Sequence, residues 1–331
     1  MNPGNSAFRQ VGSIQVRTNQ SAQAILKGLQ QDPKSKYIPQ GNEEERVRNA
    51  LRLGKPVIIE GPSGIGKTLL LENISKSDGK LFSTQMCSEG VEESKIIGYL
   101  KFASEGRYEY QDGSLLMAAR ASNVAPVLYY LDEVNMLREE IRPAFHSLLD
   151  HRKLLTYDVA EDGNVVNAQN FGIVMSYNPD PRHTLPDNWI TRCTVIRLGY
   201  PEAKVEKQIL LEVGGLKEVE KGADIAEGMV KFANAVRAAK GLDTKNGDAG
   251  VLASAMQAAG IDQDKQGELT LVRAPPSPRL LVDTCEFIVK GHAKIEDAMQ
   301  NIYDNLLAGM GRTKGVEDAL SKLAVAFLPR S

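Results

Sequence analysis

Residues Gly61 to Thr68 read Gly-Pro-Ser-Gly-Ile-Gly-Lys-Thr, which satisfies the pattern G-x-x-x-x-G-K-[ST] at every position. Ordinary residue usage produces such a match in a chain this long roughly 1–2% of the time. The chemistry of this spacing is phosphate binding. Gly61, Gly64 and Gly66 let the backbone curl so that successive N–H groups converge on phosphate oxygens. The N-terminus of the following helix adds partial positive charge. Pro62, Ser63 and Ile65 complete the binding turn. Lys67 is expected to reach the β- and γ-phosphates of a nucleoside triphosphate, and Thr68 to offer its hydroxyl to Mg²⁺. A second constellation lies at Val127 to Glu133, an apolar run that ends in Asp132-Glu133. Asp132 is expected to help hold the Mg²⁺, and Glu133 to polarise the attacking water as general base. A third is Asn178, at the tip of the apolar run Phe171 to Tyr177, where an amide can orient that water and sense the γ-phosphate. Together these residues describe binding and hydrolysis of a nucleoside triphosphate.

Such residues need a scaffold of buried strands that end at one level. Val57-Ile58-Ile59 is consecutively apolar rather than alternating, the signature of a parallel strand covered on both faces. A helix running to Leu53 precedes it, stopped by Gly54 and Pro56. Further strands are expected at Leu81–Met86, Val127–Glu133, Phe171–Tyr177 and Thr194–Leu198. Helices are expected at Val91–Ile97, Ser114–Ser122, Glu139–Leu149 and Asp187–Thr191. Two hairpins interrupt this alternation. One spans Gly98 to Gly113, with aromatics on either side of Glu105-Gly106. The other spans Leu154 to Asn167 and turns at Asp162-Gly163. From Pro201 onward the pattern is helical, with segments ending near Val213 and at Ile225–Ala239, Pro278–Lys290, Lys294–Leu307 and Gly315–Ala326.

The expected fold is therefore α/β, a P-loop core with a central parallel sheet flanked by helices, followed by an all-helical C-terminal part. Residues 1–34 read as a polar N-terminal arm with a short helix around Ala22–Leu29, residues 35–200 as the core, and residues 201–331 as the helical domain. Within the last, residues 241–268 read as a polar, loop-like insertion around an apolar patch at Val251–Ala259. The chain has 331 residues, 42% hydrophobic and 25% charged, with a formal net charge of −2. That balance gives no global electrostatic case for a nucleic-acid or membrane partner. Cys87, Cys193 and Cys285 have neither metal nor redox spacing and read as reduced thiols. His146 and His151 do not share a helix face, which argues against a metal pair. No signal peptide and no apolar run of about 18 residues is evident, so a cytoplasmic location without membrane insertion is expected.

The order of these motifs, with helices following, resembles the AAA+ ATPases. Three stretches resemble the MoxR branch within them, and most of all the CbbQ/NorQ type: Ile96 to Leu115 (I-I-G-Y-L-K-F…Y-Q-D-G-S-L), Tyr129 to Arg138 (Y-Y-L-D-E-V-N-M-L-R) and Val174 to Asp180 (V-M-S-Y-N-P-D). Tyr37-Ile38-Pro39 with Gly41 is similar to the segment before that group's core, which implies that Tyr37 and Ile38 hold the adenine ring. The resemblance also implies that Asn178 is sensor 1, that Arg192 is the arginine finger with Arg182 as its rival, and that Arg279, in Ser277-Pro278-Arg279-Leu280-Leu281, is sensor 2 at the start of a lid helix. It implies a homohexameric ring, a protein client, and a von Willebrand factor A-domain adaptor. The two hairpins match inserted elements that face the ring's pore, which makes Tyr99, Phe102, Tyr108 and Tyr110 candidate client contacts, alongside simple packing as their alternative. Two other classes stay open at this point: an NTPase motor acting on nucleic acid or in a restriction-type defence complex, and a scaffold that uses ATP to hold a ring together.

Overall fold

The computed structural model describes residues 8–11, 14–17, 36–102, 108–150, 152–157, 164–168, 170–180, 182–242, 256–257, 260–261, 263–308, 310 and 314–329. Two compact units share them. The first takes in Asn42–Gly61 and Lys67–Arg197, with the short N-terminal strands; the second takes in Ser35–Gly41, Pro62–Gly66 and Leu198–Ser331.

In chain order, the first unit holds β1 (Phe8–Val11), β2 (Ile14–Arg17), α1 (Glu43–Arg52), β3 (Val57–Glu60), α2 (Lys67–Ser77), β4 (Leu81–Met86) and α3 (Glu93–Ile96). There follow β5 (Gly98–Phe102), β6 (Tyr108–Asp112), α4 (Ser114–Ala121), β7 (Val127–Asp132) and α5 (Pro143–His146). It closes with β8 (Leu154–Tyr157), β9 (Asn164–Asn167), β10 (Phe171–Tyr177), α6 (Asp187–Ile190) and β11 (Thr194–Arg197). Five strands form the central sheet in the order β11-β3-β10-β7-β4, every pair parallel. The inner strands carry the unbroken apolar runs, and their side chains are buried throughout: Val57, Ile58 and Ile59 on β3, and Val127 to Leu131 on β7. The edge strand β4, Leu-Phe-Ser-Thr-Gln-Met, carries three consecutive polar residues, and Thr84 and Met86 on one of its faces are exposed.

Both expected hairpins form, β5 with β6 and β8 with β9, each antiparallel. The first belongs to a four-stranded sheet of order β1-β2-β6-β5 in which β2 runs parallel to β6. These N-terminal strands have no counterpart in the sequence reading, and the expected helix at Ala22–Leu29 lies outside the described residues. The expected helix at Glu139–Leu149 is shortened to the single turn of α5. Pro143 has no N–H to continue an α-helical ladder, and the flanking residues close tighter turns instead, with Arg142 bonded to Glu139, Ala144 to Ile141 and Leu148 to Phe145.

The second unit is helical: α7 (Ala203–Glu212), α8 (Gly222–Ala239), α9 (Gln263–Thr270), α10 (Pro278–Val289), α11 (Ile295–Leu307) and α12 (Lys314–Phe327). The stretch read as a loop-like insertion departs from that reading. Met256 and Ile261 are buried in the helical core, and α9 begins inside the stretch. None of the described helices is long and apolar enough to cross a membrane. The three cysteines are free, and burial pushes each thiol up to about 12.

The helical unit is built around one buried ion pair. Glu206 on α7 and Arg237 on α8 are both fully buried and meet in a fork, each guanidinium Nη lying 2.7 Å from one carboxylate oxygen. The remaining guanidinium donors go to the Pro276 carbonyl and to Asn234 Oδ1, so all five N–H groups have acceptors. The Tyr200 ring lies 4.2 Å from the guanidinium. Arg237→Ala leaves Glu206 charged and alone in the core, and is expected to destabilise this unit by about 3–5 kcal/mol. Urea unfolding followed by circular dichroism measures this. The apolar pair Glu206→Leu with Arg237→Met should recover much of the loss.

Candidate active site

Parallel register brings three strand ends to one level. Tyr177 of β10 stands opposite Glu60 of β3, and Met175 stands opposite Leu131 of β7. The residues that follow are Gly61, Asn178 and the pair Asp132-Glu133. The Gly61 N–H donates to the Tyr177 carbonyl at 3.2 Å, tying the first of these ends to the next strand.

Lys67, the first residue of α2, is buried. Its Nζ donates to the Gly61 carbonyl at 2.8 Å and to Asn178 Oδ1 at 2.7 Å. The other end of the same amide, Asn178 Nδ2, reaches Glu133 Oε1 at 3.4 Å. The residues expected to act as phosphate lysine, sensor 1 and general base thus form one continuous line. Burial lowers the Lys67 pKa to about 8, against the pull of Asp132 and Glu133, which favour its charged form. Glu133 itself adopts left-handed backbone geometry, φ 55° and ψ 44°, which ends β7 abruptly and turns the chain into Val134–Met136.

Two successive tyrosines on β7 point to opposite sheet faces, as strand geometry requires. Tyr129 meets Ser114 of α4 at 3.0 Å on one side. Tyr130 lies on the side of Asp132, donates to Asp132 Oδ1 at 2.7 Å, and touches Ser176 Oγ at 2.8 Å and Thr68 Oγ1 at 3.5 Å. Burial, then the neighbouring carboxylate, holds the Tyr130 phenol above its ordinary range, so it remains a donor. Thr68 and Asp132, the expected cation ligands, are therefore bridged by a single hydroxyl. Tyr130 and Ser176 did not emerge from the sequence as functional residues. The available signal was a hydroxyl-bearing pair inside runs that are otherwise apolar.

Within the second unit, the turn Pro62–Gly66 packs on two other segments. Gly64 and Gly66 have φ of +75° and +94°, the region glycine enters freely. A Cβ on Gly64 would meet Ser277 Oγ at 2.5 Å, and one on Gly66 would meet the Tyr37 ring at 3.4 Å. Tyr37, Ile38 and Ile65 are buried, and Ser63 is exposed. Gln40 Nε2 donates to the Ile65 carbonyl at 3.2 Å, and the Arg279 N–H donates to the Gly64 carbonyl at 3.1 Å. Ser277 caps α10 by accepting from the Leu280 N–H. The expected adenine segment and sensor 2 segment thus both contact the phosphate turn, while the Arg279 side chain is exposed.

The two arginines that compete for the finger role differ in their surroundings. Arg182 is clamped by Asp180, with Nη2 to Oδ2 at 2.9 Å and Nε to Oδ1 at 3.2 Å, and this holds the Asp180 carboxyl well below its usual range. Arg192 is exposed in the turn before β11 and makes no ion pair among the described residues. On the β5–β6 hairpin, Tyr99, Leu100, Phe102 and Tyr108 are exposed. Tyr110 follows the packing alternative: it is partly buried against the sheet core, its ring over Gly98.

The family model for the AAA domain of the dynein-related subfamily matches residues 56–193. Protein CbbQ of Hydrogenophilus thermoluteolus is 33% identical over 184 residues, 54% of this chain and 66% of that protein. Protein NorQ of Paracoccus denitrificans is 28% identical over 243 residues, 71% and 86% of the two chains. The denitrification regulatory protein NirQ of Stutzerimonas stutzeri is 29% identical over 205 residues, 61% of this chain and 70% of that one.

The lowered Lys67 pKa sets a pH dependence. Between about pH 8 and its ordinary 10.5, the unfolded chain carries the lysine proton and the folded chain does not, so this group adds stability as pH rises through that window. A bound polyphosphate reverses the preference and restores the charge. At pH 9, ATP binding is expected to take up on the order of one proton. Calorimetry in two buffers of different ionisation enthalpy measures it. Uptake that is the same in Lys67→Ala would assign the proton to another group.

Proposed function

We propose that this chain, an AAA+ ATPase of the MoxR type, works as one subunit of a homohexameric ring that uses ATP hydrolysis to remodel or activate a partner protein. The observation that carries the catalytic part is the hydrogen-bonded line Lys67–Asn178–Glu133 at the ends of adjacent parallel strands. In this reading the amides of the 61–68 loop and Lys67 hold the β- and γ-phosphates. Tyr37 and Ile38 form the adenine side. Asn178 Oδ1 exchanges its contact with Lys67 for a proton of the attacking water, while one Nδ2 proton serves the γ-phosphate and the other keeps Glu133 aimed. Glu133 takes the proton of the attacking water as the water oxygen bonds to the γ-phosphorus and the bond to the β-phosphate oxygen breaks.

The donor set beside this line fits a hard divalent cation: a threonine hydroxyl and an aspartate carboxylate, both oxygen ligands, bridged through Tyr130. Thr68 and Asp132 would hold Mg²⁺, which would supply charge neutralisation at the phosphates. The described residues offer no group of three or more His, Cys, Asp or Glu side chains, so phosphate oxygens and water would have to supply the remaining ligands. Arg279 reads the γ-phosphate as sensor 2, supported by the bond from its backbone to Gly64. Arg192 is the finger for a neighbouring subunit: its guanidinium is exposed and makes no ion pair among the described residues, whereas Arg182 is held by Asp180. Exposed Tyr99, Leu100, Phe102 and Tyr108 supply the client contact, with a von Willebrand factor A-domain protein as adaptor.

Two variants test the reading. Glu133→Gln should bind ATP with near-normal affinity while turnover falls by about 10²-fold or more. Turnover at the unaltered rate would remove Glu133 as base. Arg192→Ala should bind ATP normally and lose about 10³-fold in turnover. Mixing it with unaltered chain should depress activity more than in proportion, because each finger serves a neighbour. A strictly proportional response, or full activity of Arg192→Ala alone, would overturn the assignment in trans.

A further inference from the structure

Among the described residues, all hydrogen bonds to the Asp132 side chain fall on one oxygen. Oδ1 accepts from Tyr130 Oη at 2.7 Å, from Ser176 Oγ at 2.5 Å and from the Glu133 N–H at 3.1 Å. Three donors saturate the lone-pair directions of one carboxylate oxygen, so the carboxylate cannot rotate without breaking several of them. The other oxygen, Oδ2, is thereby left as the one available to a cation. The same tyrosine hydroxyl reaches Thr68 Oγ1 on the neighbouring helix. Because Tyr130 and Ser176 each donate their single proton to Asp132, the Tyr130 oxygen faces Thr68 as an acceptor. Without a cation, the Thr68 hydroxyl is thus drawn towards the Asp132 side chain.

The position has a geometric cause. Tyr130 and Asp132 are two residues apart on β7 and share a face. Ser176 reaches the same point because β10 pairs with β7 in register, Met175 opposite Leu131, which places Ser176 beside Asp132. A hydroxyl is costly at a fully buried strand position unless it is satisfied. Tyr130 is wholly buried, yet its hydroxyl touches three polar groups. A leucine there would bury as well and would orient nothing.

We propose that Tyr130, supported by Ser176, is a positioning residue for the cation site: it fixes which Asp132 oxygen faces the metal and holds the Thr68 hydroxyl in reach of it. The inference rests on the reading that Thr68 and Asp132 hold Mg²⁺. Tyr130 touches neither nucleotide nor reacting atoms in this account; it acts through its two neighbours.

The test measures binding, without turnover, on the full chain. Binding of a non-hydrolysable ATP analogue is titrated in EDTA and against free Mg²⁺, for the unaltered chain and for Tyr130→Phe, Ser176→Ala and Asp132→Asn. Tyr130→Phe keeps the ring and removes one oxygen. It should leave metal-free analogue binding unchanged and raise the Mg²⁺ concentration for half-effect by about tenfold, as loss of a hydrogen bond to a charged group implies. Ser176→Ala should act in the same direction and less than additively with Tyr130→Phe, since both serve one oxygen. Near-UV circular dichroism and the unfolding midpoint show whether each variant is folded; a Tyr130→Phe chain that fails to fold leaves Ser176→Ala to decide. An unchanged Mg²⁺ requirement in the folded variants overturns the proposal if Asp132→Asn still abolishes the Mg²⁺ effect. If Asp132→Asn also leaves that effect intact, the cation assignment itself falls.

Discussion

A lysine ammonium taken out of water must find acceptors, and this requirement organises the catalytic end of the sheet. Lys67 finds two, the Gly61 carbonyl and the Asn178 side chain, supplied by the ends of two different strands. Both can be present only if β3 and β10 run parallel and finish together, which their register ensures. The third strand end then brings the acidic pair alongside, and its field partly offsets the cost of burying the ammonium. A nucleotide's phosphates are a better partner than an amide oxygen. In the proposed function the phosphates take over this charge, with Asn178 and Glu133 hydrogen-bonded in line with it in advance.

The polar groups inside this sheet are few and closely accounted for. Tyr129 and Tyr130 each replace what could have been aliphatic side chains, and each hydroxyl has a partner on the helix beside its face, Ser114 on α4 and Thr68 on α2. The helical unit follows the same rule with Arg237, whose five donors are all taken. In both places the polar group joins segments that apolar packing alone would leave free to slide. The Arg237 carbonyl contact falls on Pro276, immediately before the Ser277 cap that abuts Gly64.

What the sequence disclosed was whatever is written locally. The phosphate loop, the acidic strand end, the strand-tip asparagine and both hairpins depend on neighbours within a few residues, and they were legible for that reason. So was the buried parallel sheet, because uninterrupted apolar runs have few other uses. The Tyr130–Ser176 contact depends on a register between strands 46 residues apart, and the Glu206–Arg237 pair on helix packing across 31 residues, which no spacing rule encodes. Pro143 was visible, yet composition outweighed it and the helix was drawn too long. The polar stretch before α9 hid its few core residues among Asp, Gln and Lys. Choosing between Arg182 and Arg192 needed the clamp formed by Asp180, a matter of side-chain geometry. Tyr110 likewise needed coordinates to be separated from its exposed neighbours.

The three thiols bear on how this molecule can be studied. With pKa values pushed to about 12, Cys87, Cys193 and Cys285 carry almost no thiolate at neutral pH, and the thiolate is the form that alkylating reagents attack. Raised pKa values make the natural cysteines, above all the buried Cys87 and Cys285, slow towards maleimide chemistry while the chain stays folded. A single cysteine introduced on the exposed face of the β5–β6 hairpin would take a fluorophore or crosslinker without prior removal of the native ones. The folded protein is in this sense already prepared for site-specific labelling, and reaction at the native thiols would itself report unfolding.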